Sequence, residues 1–375
     1  MIPIAKDVAG LVGEWAEGVE NRSLLHEKFA LPKVWGAKKE GKLNDAGRWS
    51  VLRIVTRGSD LLRGDSQKLR REAGGRNTRP DVAERKEDEA HVAEKMSNIA
   101  KVDSALPKIA NENGRRFLQD VEKSFPGQVA IFEATLAARM MINLAGGVVE
   151  NAGIALDRCF GLPLIPGSAV KGICRAQALW EVREADGEEK LRLLRLAMLL
   201  FGYGAHDLKR KGDFGWAGGN GQAEATAKII DAKDSNFKGC GCFLPAYPTT
   251  PPVLVVDMVN PHYPAYYSGG KQQAEDNESP IPNYFPAVEA GSSFGFAVLL
   301  NRVPQFSDIS SAALLKQARA WLERAVTRKG VGAKTAAGYG WFELGRKQTT
   351  PPASTMRQSR GASVPASQAD QLIAR

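Results

Sequence analysis

Residues 131–142 read IFEATLAARMMI. Phe132, Ala134, Leu136, Ala138, Met140 and Ile142 fall on one side of a period-two pattern, and Glu133, Thr135 and Arg139 on the other. A strand with one buried face produces this alternation. The pattern fails at Gly146-Gly147 and Gly153, which read as a loop. Next comes GLPLIPGSAVKGICRAQALWE, residues 161–181. Pro166-Gly167 stops the chain, and Ser168 is placed to cap a helix running to about Glu181, with Val170, Ile173, Cys174 and Ala178 as its apolar stripe.

Working outward, residues 182–238 read as an insertion holding one amphipathic helix near Glu189–Phe201 and a glycine-rich stretch. Short strands follow at Cys240–Leu244, Val253–Val259 and Ser293–Leu300. Ser307 or Ser310 starts a second helix, in which Leu314, Leu315, Ala318, Trp321, Leu322, Ala325 and Val326 recur at helical spacing, and Gly330 ends it. Tyr339–Leu344 reads as a closing strand. This order predicts an α+β fold with a ferredoxin-like βαββαβ core, the split βαβ arrangement that RNA-recognition modules share. The core spans 126–345, preceded by a charged, mostly helical extension over 1–125. A Ser-, Pro- and Gln-rich segment over 346–375 reads as a disordered tail.

Of 375 residues, 51 are Lys or Arg and 42 are Asp or Glu, a net charge of +9. The excess lies at the ends: residues 1–125 carry +4, 126–345 carry +1 and 346–375 carry +4. A polyanion site in the core must therefore come from local arrangement. No run approaches the length of a membrane span, and the first residues lack a secretory h-region, so a cytoplasmic protein without a membrane partner is expected. Four cysteines, Cys159, Cys174, Cys240 and Cys242, are too few for a disulfide scaffold, and Cys240-x-Cys242 lacks zinc spacing. Buried apolar cysteines and no metal or other cofactor are expected.

Three segments carry chemistry. Gly167, Ser168, Lys171 and Arg175 combine free helix-start amides with a hydroxyl and two cations on one helix face, which suits a phosphate. An ordinary capped helix with solvated cations has the same pattern. Residues 329–341, KGVGAKTAAGYGW, supply four glycines, two lysines, Tyr339 and Trp341. That composition suits backbone-tracking RNA contact through Gly330, Gly332, Lys334, Gly338, Tyr339 and Gly340, and equally a plain connector between helix and strand. In residues 257–267, DMVNPHYPAYY, aromatic rings stand ready to stack bases and His262 to act as a general base, or the loop packs on the sheet. Lys334-Thr335 lacks both P-loop glycines, and Ser168-x-x-Lys171 lacks the companion motifs of penicillin-binding enzymes. His206-Asp207 lacks the other ligands of a metal phosphohydrolase.

Taken in order, GLPLIPGSAVKGICR (161–175), the glycine-rich stretch 330–341 and VVDMVNPHYPAYY (255–267) with Ser279-Pro280-Ile281-Pro282 resemble the RAMP superfamily, the repeat-associated RNA-binding subunits of CRISPR systems. Within it they resemble one group, the sixth Cmr subunits of type III-B effector complexes. Asn21-Arg22-Ser23-Leu24-Leu25 through Phe29 resembles the start of that group. The resemblance implies a non-catalytic RNA-binding subunit that caps the complex at the 3′ end of the guide RNA and aids capture of target RNA. Its implied partners are guide RNA (crRNA), target RNA, a neighbouring backbone RAMP and a small helical subunit. It also implies that His262 and Tyr263 form a His-Tyr pair that is structural or RNA-adjacent. Two other readings stay open: a metal-independent repeat-processing endoribonuclease using His262, and a structural cap that binds protein neighbours and little RNA.

Overall fold

The computed structural model describes residues 19–28, 46–100, 105–146, 153–219, 221–231, 236–260, 262–274, 282–301 and 309–345. The tail 346–375, Ser307 and Ser279-Pro280-Ile281 lie outside them. The centre is a strand pair, β1 (Val129–Leu136) and β8 (Ser293–Leu300), antiparallel from Val129↔Leu299 to Thr135↔Ser293. In β1 the buried side chains are Ala130, Phe132, Ala134 and Leu136, the face that the alternation predicts. Strand β8, SFGFAVLL, is buried on both faces, and its near-continuous apolar sequence reflects that. β4 (Gly241–Phe243) and β5 (Tyr247–Pro248) pair with the outer side of β8, and β9 (Phe342–Leu344) with β1, all antiparallel. The order across the sheet is β4-β8-β1-β9. Tyr339 falls before the closing strand, in a loop.

One sheet face is covered by α6 (Gly167–Glu184), α7 (Gly187–Phe201) and α12 (Ser311–Arg328). Helix α12 is capped by the Ser310 hydroxyl, which accepts from the Ala313 N–H at 3.1 Å. It buries Leu314, Ala318, Trp321, Leu322, Ala325 and Val326. Helices α6 and α12 run the same way: Cys174 meets Ala318, Glu181 meets Arg324, and Trp180 meets Lys329. Glu181 takes a bidentate bond from Arg324 (2.6 and 2.8 Å) and a bond from the buried Trp321 indole N–H at 3.0 Å. Helix α5 (Ala105–Ser124) covers the other face, with Leu118 over Gly295 and Phe117 edge-on to Tyr247.

Between α7 and β4 lie β2 (Gly202–Tyr203), α8 (Ala205–Leu208), α9 (Asp213–Gly218), α10 (Gln222–Ile230) and β3 (Phe237–Lys238). The glycine-rich stretch is therefore helical in part. Gly212 and Gly215 are needed because backbone carbonyls of residues 206–209 occupy the place of their Cβ atoms. Toward the N-terminus, α1 (Arg22–Lys28), α2 (Ala46–Leu52), α3 (Gly58–Ala73) and α4 (Pro80–Ile99) share a continuous apolar core with the sheet domain. Helices α3 and α4 form a hairpin, with Gly74 at the end of one and Pro80 at the first position of the next. A second sheet pairs β6 (Leu254–Val259) with β7 (Asn283–Val288), followed on the β6 side by the short α11 (Pro264–Tyr267). Thr56 fastens β6 at its first residue: its N–H donates to the Leu254 carbonyl and its hydroxyl accepts the Leu254 N–H, both at 2.9 Å. The architecture is a mixture of helices and antiparallel sheets.

Candidate nucleic-acid interface

The start of α6 differs from expectation in two ways. Pro166, not Ser168, occupies the cap position, and Ser168 lies inside the helix, exposed, with no capping bond. The Pro166 carbonyl accepts the first bonds of the helix, from the Ala169 and Val170 N–H groups at 2.9 and 3.1 Å. Gly167 is small because the Phe243 carbonyl of β4 fills the space of a Cβ. It serves strand–helix packing rather than an open anion path. Lys171 and Arg175 line a cleft of about 500 Å³ with Tyr203, Asp207 and Lys238. Arg175 is already engaged. It bonds Asp207 at 3.1 Å and Asp213, and its guanidinium lies 5.0 Å from the Phe214 ring centroid. Asp207 also accepts the Gly204 N–H at 2.9 Å, so the His206-Asp207 pair has a structural explanation.

The loop 329–341 is a built structure. Gly330, Gly332, Gly338 and Gly340 all have positive φ, and so does Lys334 at 56°. The Met141 carbonyl fills the Cβ space of Gly332, and the Val331 carbonyl that of Gly340. Val331 N–H donates to Gly340 O, Ala333 N–H to Met141 O and Gly340 N–H to Arg139 O, at 2.7–2.8 Å. The Trp341 indole donates to Thr335 O at 3.0 Å. Among the described residues the amides of Gly332, Lys334 and Thr335 make no hydrogen bond, and Lys334 is exposed. The adjacent open amides of Lys334 and Thr335 beside the lysine ammonium form a site suited to an anion.

A network beneath this loop had no local sequence signal. Arg139 forms a bidentate pair with Glu289 (3.0–3.3 Å) and a salt bridge to Asp257 (3.1 Å), and the Tyr339 hydroxyl donates to Asp257 at 2.9 Å. The Glu289 hydrogen bonds hold the Arg139 pKa above its ordinary value. Burial, then Asp257, raise that of Tyr339. The four side chains tie the glycine-rich loop to the β6–β7 hairpin. The bonded pairs are separated by 82 to 150 positions in sequence, which is why no spacing rule finds them.

The two phosphate-friendly segments do not converge. Lys329, at the head of the loop, sits over Trp180, which is twelve residues beyond Ser168 on α6, or about 18 Å of helix. The start of α6 packs on edge strand β4, whereas the loop precedes the opposite edge strand β9. His262 is exposed and makes no hydrogen bond among the described residues, and its ring centroid is 6.5 Å from that of Tyr263. Of the thiols, Cys174 and Cys240 are buried but Cys159 and Cys242 are exposed, because the last two sit on a loop and on an outward position of an edge strand. No three His, Cys, Asp or Glu side chains among the described residues are grouped to hold a metal ion. No helix among them is long and apolar enough to cross a membrane.

The model of the RAMP superfamily matches residues 127–343, from the first strand to the last. The chain belongs to the RAMP superfamily. This RAMP is 26% identical over 277 residues to the CRISPR system CMR subunit Cmr6 of Saccharolobus solfataricus, covering 72% of this chain and 76% of that one. It is 27% identical over 266 residues to Cmr6 of Pyrococcus furiosus, covering 63% and 74%. Among solved structures it is similar to a chain in the cryo-EM structure of the type III-B Cmr-beta bound to cognate target RNA, with 20% identity, coverage of 91% and 95%, and a TM-score of 0.46. The resemblance of the sequence to the RAMP superfamily and its sixth Cmr group is borne out.

Proposed function

We propose that this RAMP is a non-catalytic RNA-binding subunit of a type III-B Cmr ribonucleoprotein in the cytoplasm. It caps the backbone at the 3′ end of the guide RNA and aids capture of target RNA. Its partners are guide RNA, target RNA and other Cmr subunits, a backbone RAMP and a small helical subunit among them. The observation that carries the reading is the loop 329–341, whose glycine-fixed path presents open amides of Gly332, Lys334 and Thr335 beside the Lys334 ammonium. The relatives named Cmr6 supply the setting. The strand order β4-β8-β1-β9 supports a ferredoxin-like core: with the strands counted along the chain it is second, third, first, fourth. Lys171 and Ser168 form a separate contact point at the far end of α6, and Arg175 joins them when RNA phosphate displaces Asp213.

The test is reconstitution of the purified chain with its cognate subunits and guide RNA. Lys171→Ala with Lys334→Ala lowers RNA retention and reduces the salt slope of binding by about one per lost phosphate contact. Unchanged RNA content and slope in the double variant would refute the reading. Incubation of the chain with repeat RNA in EDTA tests the nuclease alternative, and cleavage that disappears in His262→Ala would establish it instead. Among the described residues the His262 side chain makes no hydrogen bond that would orient it as a general base.

A further inference from the structure

Two tryptophans stand on the surface where α6 meets α9. Trp180 is 47% exposed and Trp216 37% exposed, and their rings meet edge to face at 5.1 Å. An indole exposed to this degree leaves apolar surface in water, and two together form a patch that function must explain. A cation lies over each ring. Lys329 Nζ lies 5.3 Å from the Trp180 ring centroid, and the Arg183 guanidinium lies 5.6 Å from that of Trp216. Arg183 also donates to the Trp216 carbonyl at 2.9 Å, which fixes it beside the ring. One turn before Trp216, Lys209, Arg210 and Lys211 are exposed and form no ion pair among the described residues. The nearest acids are mostly occupied: Glu181 by Arg324, and Asp207 and Asp213 by Arg175. Glu184 is exposed and forms no ion pair among the described residues.

Flat π-surface bordered by unpaired positive charge fits a polyanion with flat apolar groups, namely unpaired RNA. A protein partner with an apolar anchor fits the rings but gives no role to three consecutive free cations. We propose that Trp180 and Trp216 are a stacking platform for unpaired RNA bases, with Lys329, Arg183 and the 209–211 cluster holding the flanking phosphates. The inference rests on the RNA-binding reading and extends it. Lys329 is shared with the glycine-rich loop, so the platform continues that loop along α6 toward Lys171.

The test uses the full chain, a short fluorescein-labelled oligoadenylate and an abasic oligomer of equal length and charge, read by anisotropy and by quenching of tryptophan emission. The intact chain binds the oligoadenylate more tightly than the abasic oligomer. Trp180→Ala and Trp216→Ala each weaken oligoadenylate binding about tenfold, within the range for loss of one base–aromatic stack. They leave abasic binding unchanged. Trp180→Phe and Trp216→Phe retain most of the preference, which shows that the variants fold. Lys334→Ala weakens both ligands equally. Oligoadenylate affinity unchanged in the tryptophan variants, with Lys334→Ala still weakening it, overturns the platform and spares the RNA-binding reading. Failure of the intact chain and of its assembly to bind either oligomer overturns both. Normal RNA affinity with loss of subunit assembly in Trp180→Ala assigns the patch to a protein neighbour and also overturns the platform.

Discussion

Replacing Gly340 by Ala tests whether the loop's path is fixed by its backbone. Gly340 has φ of 71°, and a Cβ there would fall inside contact distance of the Val331 carbonyl. The left-handed conformation alone costs an L-residue about 1–2 kcal/mol. The clash is with backbone, so the loop must part at Val331, and the bond from Val331 N–H to Gly340 O, about 1 kcal/mol, goes with it. Together the local cost is about 2–3 kcal/mol. Gly338 is the control. Its φ is 92°, but a Cβ there meets nothing within 4 Å, so Gly338→Ala carries only the conformational term. Native-state hydrogen exchange reads local opening directly. In Gly340→Ala the amides of Val331 and Gly340 exchange about 30- to 150-fold faster than in the parent, and in Gly338→Ala about 5- to 30-fold faster. Equal acceleration in the two variants, or none in Gly340→Ala, would show that the side-chain network and not the glycine backbone sets the path.

Glu181→Ala strands a buried indole N–H and the Arg324 guanidinium, and a loss of about 2–3 kcal/mol is expected in denaturant titration, with Trp321 emission shifted. Asp213→Asn frees Arg175 from one of its two carboxylates, so single-stranded RNA binding at low salt tightens rather than weakens. A decrease would place Arg175 outside the RNA path. Cys159 and Cys242 react with a thiol reagent at neutral pH at once, whereas Cys174 and Cys240 react only on unfolding. Burial pushes the Cys174 thiol well up and that of Cys240 up to about 11. Both folded-state pKa values are raised, so their contribution to stability is full below the ordinary thiol range and is lost as pH rises through the raised values. Melting temperature therefore falls on the alkaline side of about pH 9. Serine at Cys240 should reduce that fall.

The central strands and the long helix α12 were legible because their signals are local. One-sided burial imposes alternation on β1, double-sided burial makes β8 an apolar run, and Ser310 caps in the expected manner. Strand β7 escaped because Pro286 interrupts it, and proline is tolerated there because β7 ladders with β6 alone and meets Met140 only by a bridge at Val288, two residues beyond the proline. The short helix α9 escaped because Gly212 and Gly215 answer to carbonyls of the preceding turn, which no window shows. Segments 161–175 and 329–341 were legible as a helix start and a glycine-rich loop, but their separation in space was not. Spacing along a chain does not report the direction of a helix, and α6 runs alongside α12 so that its start lies far from the loop. The Arg139–Asp257–Tyr339 network and the tryptophan platform join residues distant in sequence, so only tertiary structure reveals them.

Thr56 grips Leu254 with both a donor and an acceptor, and this places the root of the β6–β7 hairpin in the grasp of the N-terminal helices. The hairpin is thus a lever with its fulcrum in the helical part of the molecule. Asp257, three residues along the same strand, takes the Tyr339 hydroxyl, so the anchorage at Thr56 reaches the loop within one strand's length.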